Sequence, residues 1–324
     1  MKPFNVFPYD SNIHFMRLRW VSLFLAALIM FVGIGAMFTK GFNFALDFTG
    51  GVGIELRFPK APDVDDIRTR LGAAGYENAQ VQTFGTGQDL LVRLQDKPRE
   101  HVGEAATGTG PSTGSIAQDV RRIASTPDNQ AEVRSSAQIS AQVGRELALN
   151  GLYALVFVIF GFLIYISFRF EWKFAVAAII TTLHDVVVVA GWFALTGHEF
   201  DLTVLAGVLS VMGYSINDTI VVFDRVRENF RSMRAEPSEV LNKSINQTLS
   251  RTVITSFVAF LTVLALYLYG GGSLKGMAES QMLGIIIGTL SSIFVACPLL
   301  MWLGVSKQDL MPKARDDAAL ARRP

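Results

Sequence analysis

Asp218 lies in GYSINDTIVVFDRVREN, residues 213–229, with Ile216 before it and Ile220, Val221 and Val222 after it. A carboxylate in such apolar company is either a proton carrier facing other helices or an interfacial charge that snorkels into headgroups. Gly207, Ser210, Tyr214 and Asp218 recur at steps of three and four. On a helix they form one small-and-polar stripe, expected to face the interior of a bundle. Asn217 is a candidate to orient the Asp218 side chain.

Arg251 precedes TVITSFVAF, and Thr255 and Thr262 share its face at i+4 and i+11. It reads as a topology-setting cation or as a partner for Asp218 at matching depth, since an ion in a membrane needs one. A pair whose separation changes would load and release a proton. His184 and Asp185 stand together near the middle of another apolar run. Both titrate, and imidazole does so near physiological pH. A place in a proton path and a satisfied structural hydrogen bond are both open to them. No third ligand accompanies them, so no metal site is expected.

Other motifs carry less. Cys297 is the single cysteine; it can form no internal disulfide and reads as a small buried residue. Gly284-Ile-Ile-Ile-Gly288 permits close helix approach. TGGVGIE lacks the Gly-Lys-Ser/Thr ending of a phosphate loop. Neither a cofactor site nor a nucleophile–base pair is expected, and the chain does not read as an enzyme.

The elements that must hold these groups follow from composition. The 324 residues are 50% hydrophobic and 18% charged, with a mean hydropathy of +0.35; a soluble chain would carry about 25% charge. A net charge of +1 lacks the basic excess of nucleic-acid binders, so no nucleic-acid partner is expected. Six apolar runs are long enough to span a bilayer: Leu18–Phe38, Leu152–Phe168, Phe174–Leu195, Leu202–Phe223, Thr252–Tyr269 and Met282–Val305. Arg17 and Arg19 stand at the start of the first, yet Phe38-Thr39-Lys40 offers no small-residue cleavage site, so it reads as a retained helix. Asp218 falls sixteen residues after Leu202, about 24 Å along a helix. A carboxylate near a membrane helix centre costs about 2.5–3.5 kcal/mol to insert, less toward the interface.

Lys and Arg set the orientation. Lys2, Arg17 and Arg19 lie before or at the start of the first run; Arg169 and Lys173 join the second and third. Arg225, Arg227, Arg231, Arg234, Lys243 and Arg251 occupy 224–251, and the tail holds five more. Thr196–Asp201 has none and Gly270–Ser280 only Lys275. Both termini are therefore expected in the cytoplasm.

Between the first two runs lies one sizeable polar segment, Gly41 to Glu146, with 11 Lys/Arg against 14 Asp/Glu. VGIELRF alternates like a half-buried strand. Pro62-Asp63 opens a helix carrying Val64, Ile67 and Leu71. AQVQTF and DLLVRL flank Gly85-Thr86-Gly87-Gln88 as a hairpin. Ser115 is placed to cap a helix with Ile116, Val120 and Ile123, and EVRSSAQI supplies a last strand. The order βαββαβ predicts a small ferredoxin-like α+β domain. HVGEAATGTGPSTG reads as a loop, either a contact surface or a disordered insertion. The resulting organisation is a polytopic α-helical membrane protein. Residues 1–39 hold the N-terminus and first helix, 40–146 the extracytoplasmic domain, 147–306 helices two to six with a basic loop at 224–251, and 307–324 a cytoplasmic tail.

Four motifs carry a family resemblance over nearly the whole chain. They are NFALDFTGG after the first run, LHDVVVVAG in the third, GYSINDTIVVFDRVREN in the fourth and LSRTVITS opening the fifth. Together they resemble the SecF family of bacterial protein-translocation subunits, related to the resistance-nodulation-division transporters. The resemblance implies a multi-pass subunit of the Sec pathway in the bacterial inner membrane. It implies a SecD partner in a twelve-helix assembly beside the SecYEG channel, with YajC and YidC as further partners and the translocating polypeptide as cargo. The proton motive force would drive late export. The resemblance also implies that Asp218 is the transport aspartate and Arg251 the arginine that works with it. Asp47, Gly50 and Gly51 match the motif after helix one. His184, Asp185, Asn217, Tyr214 and Ser210 are then candidates for the proton path or for packing, and 101–114 has no place in the pattern. Two other readings compete: a stand-alone half-size proton-driven exporter of lipid or drug, and a passive scaffold in which Asp218 is dispensable.

Overall fold

Apolar runs of this length satisfy their backbone in a bilayer only as helices, and among the described residues six helices are long and apolar enough to cross one. The computed structural model describes residues 11–76, 79–84, 87–94, 113–139 and 141–310. Lys2, Gly85, Thr86, most of 101–114 and all but Lys307 of the basic tail residues lie outside them. The spans are α1 (Arg19–Thr39), α5 (Ala141–Arg169), α6 (Trp172–Thr196), α7 (Leu202–Ser232) and α8 (Pro237–Tyr269). The sixth joins α9 (Gly272–Ser291), a π-helical turn (Ser292–Ala296) and α10 (Cys297–Trp302). A short helix α11 (Lys307–Leu310) follows.

Most helices outrun the apolar segments. Segment 224–251 is the end of α7, a short turn and the start of α8, with Pro237 in the first turn, where its missing N–H costs no bond. Pro298, one residue into α10, cannot donate to the ladder, and its ring crowds the preceding turn; the wider π-turn just before it makes room. The third, fourth and sixth spans bury half or more of their most apolar window, while the first, second and fifth bury less than a fifth. Three helices thus form the centre of the bundle and three its exposed flank.

Glycines set the spacing in the centre. Gly284 and Gly288 on α9 face Val211 and Ser215 on α7, matching four-residue steps on both helices, as the Gly-x-x-x-Gly pattern predicts. On the other side Gly191 of α6 meets Gly33 of α1 so closely that an added Cβ would stand 2.5 Å from the Gly33 Cα.

Between α1 and α5 the chain forms β1 (Asn43–Phe44), α2 (Leu46–Thr49), β2 (Gly51–Arg57), α3 (Val64–Ala73), β3 (Gln80–Phe84), β4 (Asp89–Leu94), α4 (Thr113–Ala124) and β5 (Glu132–Ile139). Strands β2 to β5 make an antiparallel sheet in the order β3-β4-β2-β5. Val52, Ile54, Leu56 and Phe58, alternating along the chain, pack with Ile67 and Leu71 of α3 and with Ala117 and Val120 of α4 in one core. Asp63 caps α3, accepting from the N–H groups of Asp65 and Asp66. Helix α4, expected to open at Ser115, already begins at Thr113.

Segment Thr196–Asp201, expected as a bare loop, contains β6 (Glu199–Phe200), which pairs in parallel with β1. Two residues are too short for any alternation to register. Phe42, Phe44, Phe48 and Phe200 cluster around this ladder. On the opposite side of the bundle, Asn246 of α8 clasps the peptide of Ile13, accepting from its N–H at 3.1 Å and donating to its carbonyl at 2.9 Å.

Candidate functional site

The α7 stripe divides. Asp218 is 3% exposed and Gly207 is buried against α9, whereas Tyr214 is half-buried and Ser210 exposed. The expectation that all four face inward is corrected: α7 packs against α9, α8 and α6, and the part of the stripe that falls between these contacts is left outward. Asn217 is also exposed and makes no hydrogen bond to Asp218.

Around Asp218 the bundle supplies hydroxyls. Ser256 of α8 stands beside the carboxylate, and Arg251, one turn earlier in α8, is near enough for its charge to act there. Arg251 is exposed, and no carboxylate among the described residues is salt-bridged to it. The Tyr214 hydroxyl donates to Ser256 Oγ at 2.8 Å, and Thr289 Oγ1 of α9 donates to the same oxygen at 2.7 Å. Asp218 Oδ2, Thr219 Oγ1 and Thr252 Oγ1 are buried with no hydrogen-bond partner among the described residues. Thr255 and Thr262 return their hydroxyls to the backbone of α8.

A second carboxylate lies deeper. Asp185 is fully buried, and its Oδ2 accepts from Ser215 of α7 at 2.5 Å and from Ser291 of α9 at 2.7 Å. Its Oδ1 is 2.9 Å from His184 Nδ1, while His184 Nε2 is buried without a partner among the described residues. Adjacent residues on a helix diverge, but here the imidazole bends back onto its neighbour. Asp185 therefore pins the three central helices together, which favours packing over carriage. No cluster of three metal-ligating side chains occurs among the described residues.

The third group lies at the outer end. Asp47 of α2 accepts from the Leu202 N–H at 3.3 Å, at the start of α7, where Asp201 caps Val204 N–H at 2.7 Å. Gly50 and Gly51 follow with φ of 72° and 135°, a left-handed turn that a side chain would strain. A Cβ at Gly144 would meet Gly50 N and Phe48 O at 3.0 Å, so α5 rests directly on this turn. Arg93 of β4 is salt-bridged to Glu199 of β6. Burial pushes the Arg93 guanidinium below its ordinary range, and the charges of Asp201 and Asp47 oppose that shift. Arg93 thus ties the sheet to the helix bundle.

Residues 119–306 match the family described as "Protein export membrane protein SecD/SecF, C-terminal", and 35–60 match the "SecD/SecF GG Motif". The chain belongs to the SecD/SecF family. It is 41% identical over 308 residues to the protein translocase subunit SecF of Pseudomonas aeruginosa, covering 95% of this chain and 96% of the relative. It is 39% identical over 299 residues to that of Escherichia coli O157:H7, covering 92% and 90%. Among solved structures it is similar to SecDF of Thermus thermophilus, described as a translocon-associated membrane protein, with 35% identity and a TM-score of 0.79. Against SecDF in a super-membrane-facing form the TM-score is 0.62 at 34% identity. The match covers 92% and 94% of this chain but only 39% and 40% of those chains. The SecD/SecF Gly-Gly motif is thus the turn at Gly50-Gly51 that α5 rests on, and Asp47 within it touches the helix that carries Asp218.

Sequence reasoning missed Ser215, Ser256, Thr289, Ser291 and the Arg93–Glu199 pair. For the four hydroxyls the available signal was their occurrence in apolar runs, where hydroxyls usually bond their own helix backbone; Arg93 and Glu199 lie outside those runs and carried none.

Proposed function

We propose that this chain is a SecF-type subunit of the Sec translocation machinery, working with a SecD partner and the proton motive force to promote late polypeptide export. The buried Asp218 carries this reading: one oxygen lacks a partner among the described residues, hydroxyls crowd its side, and Arg251 acts on it across a gap instead of neutralising it in contact. A carboxylate held this way has room to take and lose a proton as the gap changes. His184 and Asp185 serve as a structural anchor beside it. The antiparallel sheet order and two helices support a ferredoxin-like extracytoplasmic domain over 40–146, with membrane helices in 1–39 and 147–306 and a tail at 307–324. The basic residues near Arg169 and Arg225 favour cytoplasmic termini in the bacterial inner membrane. SecYEG is the channel this reading requires, with YajC and YidC as accessory partners and no catalysis by the chain itself.

The test is proton flux and export in vesicles containing the assembled partners. Asp218→Asn inserts and assembles but loses both; full activity of that variant would make the carboxylate structural and overturn the reading. The competing lone-exporter reading draws support from an apolar cavity of about 530 Å³ lined by Met37, Phe44, Phe48, Leu152 and Val187. It predicts activity without a second membrane protein.

A further inference from the structure

Arg19 opens α1 and Trp302 closes α10. Six spans return the chain to its starting side, so both residues stand at the same membrane boundary. A cleft of about 270 Å³ lies between them, lined by Arg19, Trp20, Leu23, Pro298, Met301 and Trp302. It opens where the sixth span passes from its π-turn into α10, with Pro298 in its wall; such turns recur at functional sites. Phe15, just before α1, packs edge-on against Phe294 of the π-turn at 5.8 Å, which fixes the two walls against each other.

The lining holds an unanswered charge. Arg19 is half-buried, yet it has neither a carboxylate nor an aromatic face as partner among the described residues. Other cations of this boundary with little exposed surface are answered: Arg227 by Glu171 at 3.2 Å and Lys173 by Asp309 at 2.8 Å. Trp20 and Trp302 are 62% and 64% exposed, and neither indole N–H has an acceptor among the described residues. A partly desolvated cation between two amphipathic rings at headgroup depth suits an anion that brings its own apolar part.

We propose that this cleft binds an anionic phospholipid, with its phosphate on Arg19. The planar guanidinium can grip two phosphate oxygens at once. The indole N–H groups serve the remaining phosphate and glycerol-ester oxygens, and Leu23, Pro298 and Met301 receive the first carbons of the chains. A volume equal to about nine waters has room for a phosphate and its glycerol. Trp20, Phe24, Leu28 and Phe31 then recur at helical steps along one exposed stripe of α1, a path for the chains into the bilayer. The site stands independently of Asp218 and needs only that the six spans lie in a membrane.

Native mass spectrometry of the full chain, titrated with phosphatidylglycerol or phosphatidylcholine, tests this. One phosphatidylglycerol is expected to bind about fivefold more tightly than phosphatidylcholine. Arg19→Gln removes that preference and weakens phosphatidylglycerol about tenfold, the loss of one charge-assisted bond. Arg17→Gln, exposed and outside the cleft, leaves both unchanged. Phosphatidylglycerol brominated on its upper chain carbons should quench tryptophan fluorescence more than brominated phosphatidylcholine does, and the excess should vanish in Trp20→Phe/Trp302→Phe. If Arg19→Gln does not insert, that comparison in the parent decides, and equal quenching by the two lipids overturns the site. Equal losses in Arg17→Gln and Arg19→Gln would reveal diffuse surface charge and overturn it too. Displacement by millimolar inorganic phosphate would make it a free-anion site, and loss of the lipid on assembly with a SecD partner would make that partner the occupant; either result overturns the phospholipid.

Discussion

Asp47 and Leu202, 155 positions apart in the chain, are joined by a hydrogen bond from the Leu202 N–H to Asp47 Oδ2. Through it, the Gly-Gly motif after the first membrane helix holds the outer start of α7, whose later turns carry Asp218. Asp201 performs the ordinary cap on the same helix end. Two carboxylates at one N-terminus complement the positive end of the helix dipole. Asp201→Ala is expected to lower stability by about 1 kcal/mol and Asp47→Ala by about 0.5 kcal/mol, read as thermal unfolding in detergent. Equal melting of both variants and the parent would show that neither carboxylate supports the helix end.

The Arg93–Glu199 pair spans the sheet and the bundle, and both side chains are mostly buried. Removing one partner strands a charge. Arg93→Ala is expected to cost about 3 kcal/mol, and the Arg93→Ala/Glu199→Ala double variant less than the two singles added. A thermodynamic cycle in detergent measures the coupling; strict additivity would mean the pair contributes nothing.

Gly191 and Gly284 allow no side chain. At Gly191 the obstacle is the Gly33 backbone, which cannot rotate away, while at Gly284 it is the Val211 side chain. Gly191→Val and Gly284→Val should each destabilise by about 1–3 kcal/mol through overpacking. Val211→Ala should partly rescue Gly284→Val, and no cavity-making partner exists for Gly191→Val. Melting temperatures of the four proteins check this.

Asp309 of α11 supplies a pH-dependent contact on the basic side. Burial alone would raise its carboxyl, but hydrogen bonds from Lys173 and Ser306, with the Lys173 charge, outweigh that and hold it below the usual carboxylate range. A carboxylate depressed in the folded state contributes stability above its unfolded range and loses it as pH falls through the folded value. Docking of α11 on Lys173 should therefore hold at neutral pH and weaken only below about pH 4. Hydrogen exchange at Ser306 and Asp309 between pH 6 and pH 3 follows the release. Asp309→Asn should exchange quickly at all pH values; slow exchange in that variant would show that α11 docks without the charge.

Local periodicity determined a large part of this protein. Runs of apolar residues placed six membrane helices because a bilayer leaves the backbone no other way to pair its polar groups. Alternation in VGIELRF and the Asp63 cap fixed strands and a helix within a residue or two, since those signals act over one turn or one pleat. Asp218 stood out as a costly charge and is indeed buried. Gly284 and Gly288 announced a close helix contact, without saying that Val211 and Ser215 receive it. Only the tertiary structure decided what surrounds each charge. Arg251 makes no salt bridge to Asp218, and Ser210 and Asn217 turn outward because α7 packs its other faces against α6, α8 and α9. The β1–β6 ladder, the Arg93–Glu199 pair and the hydroxyls of Ser215, Ser256, Thr289 and Ser291 are meetings of residues distant in the chain. Hydropathy and spacing report which way one element faces; which polar atoms then meet depends on how the helices are rotated and spaced against each other, and that is set by packing across the whole bundle.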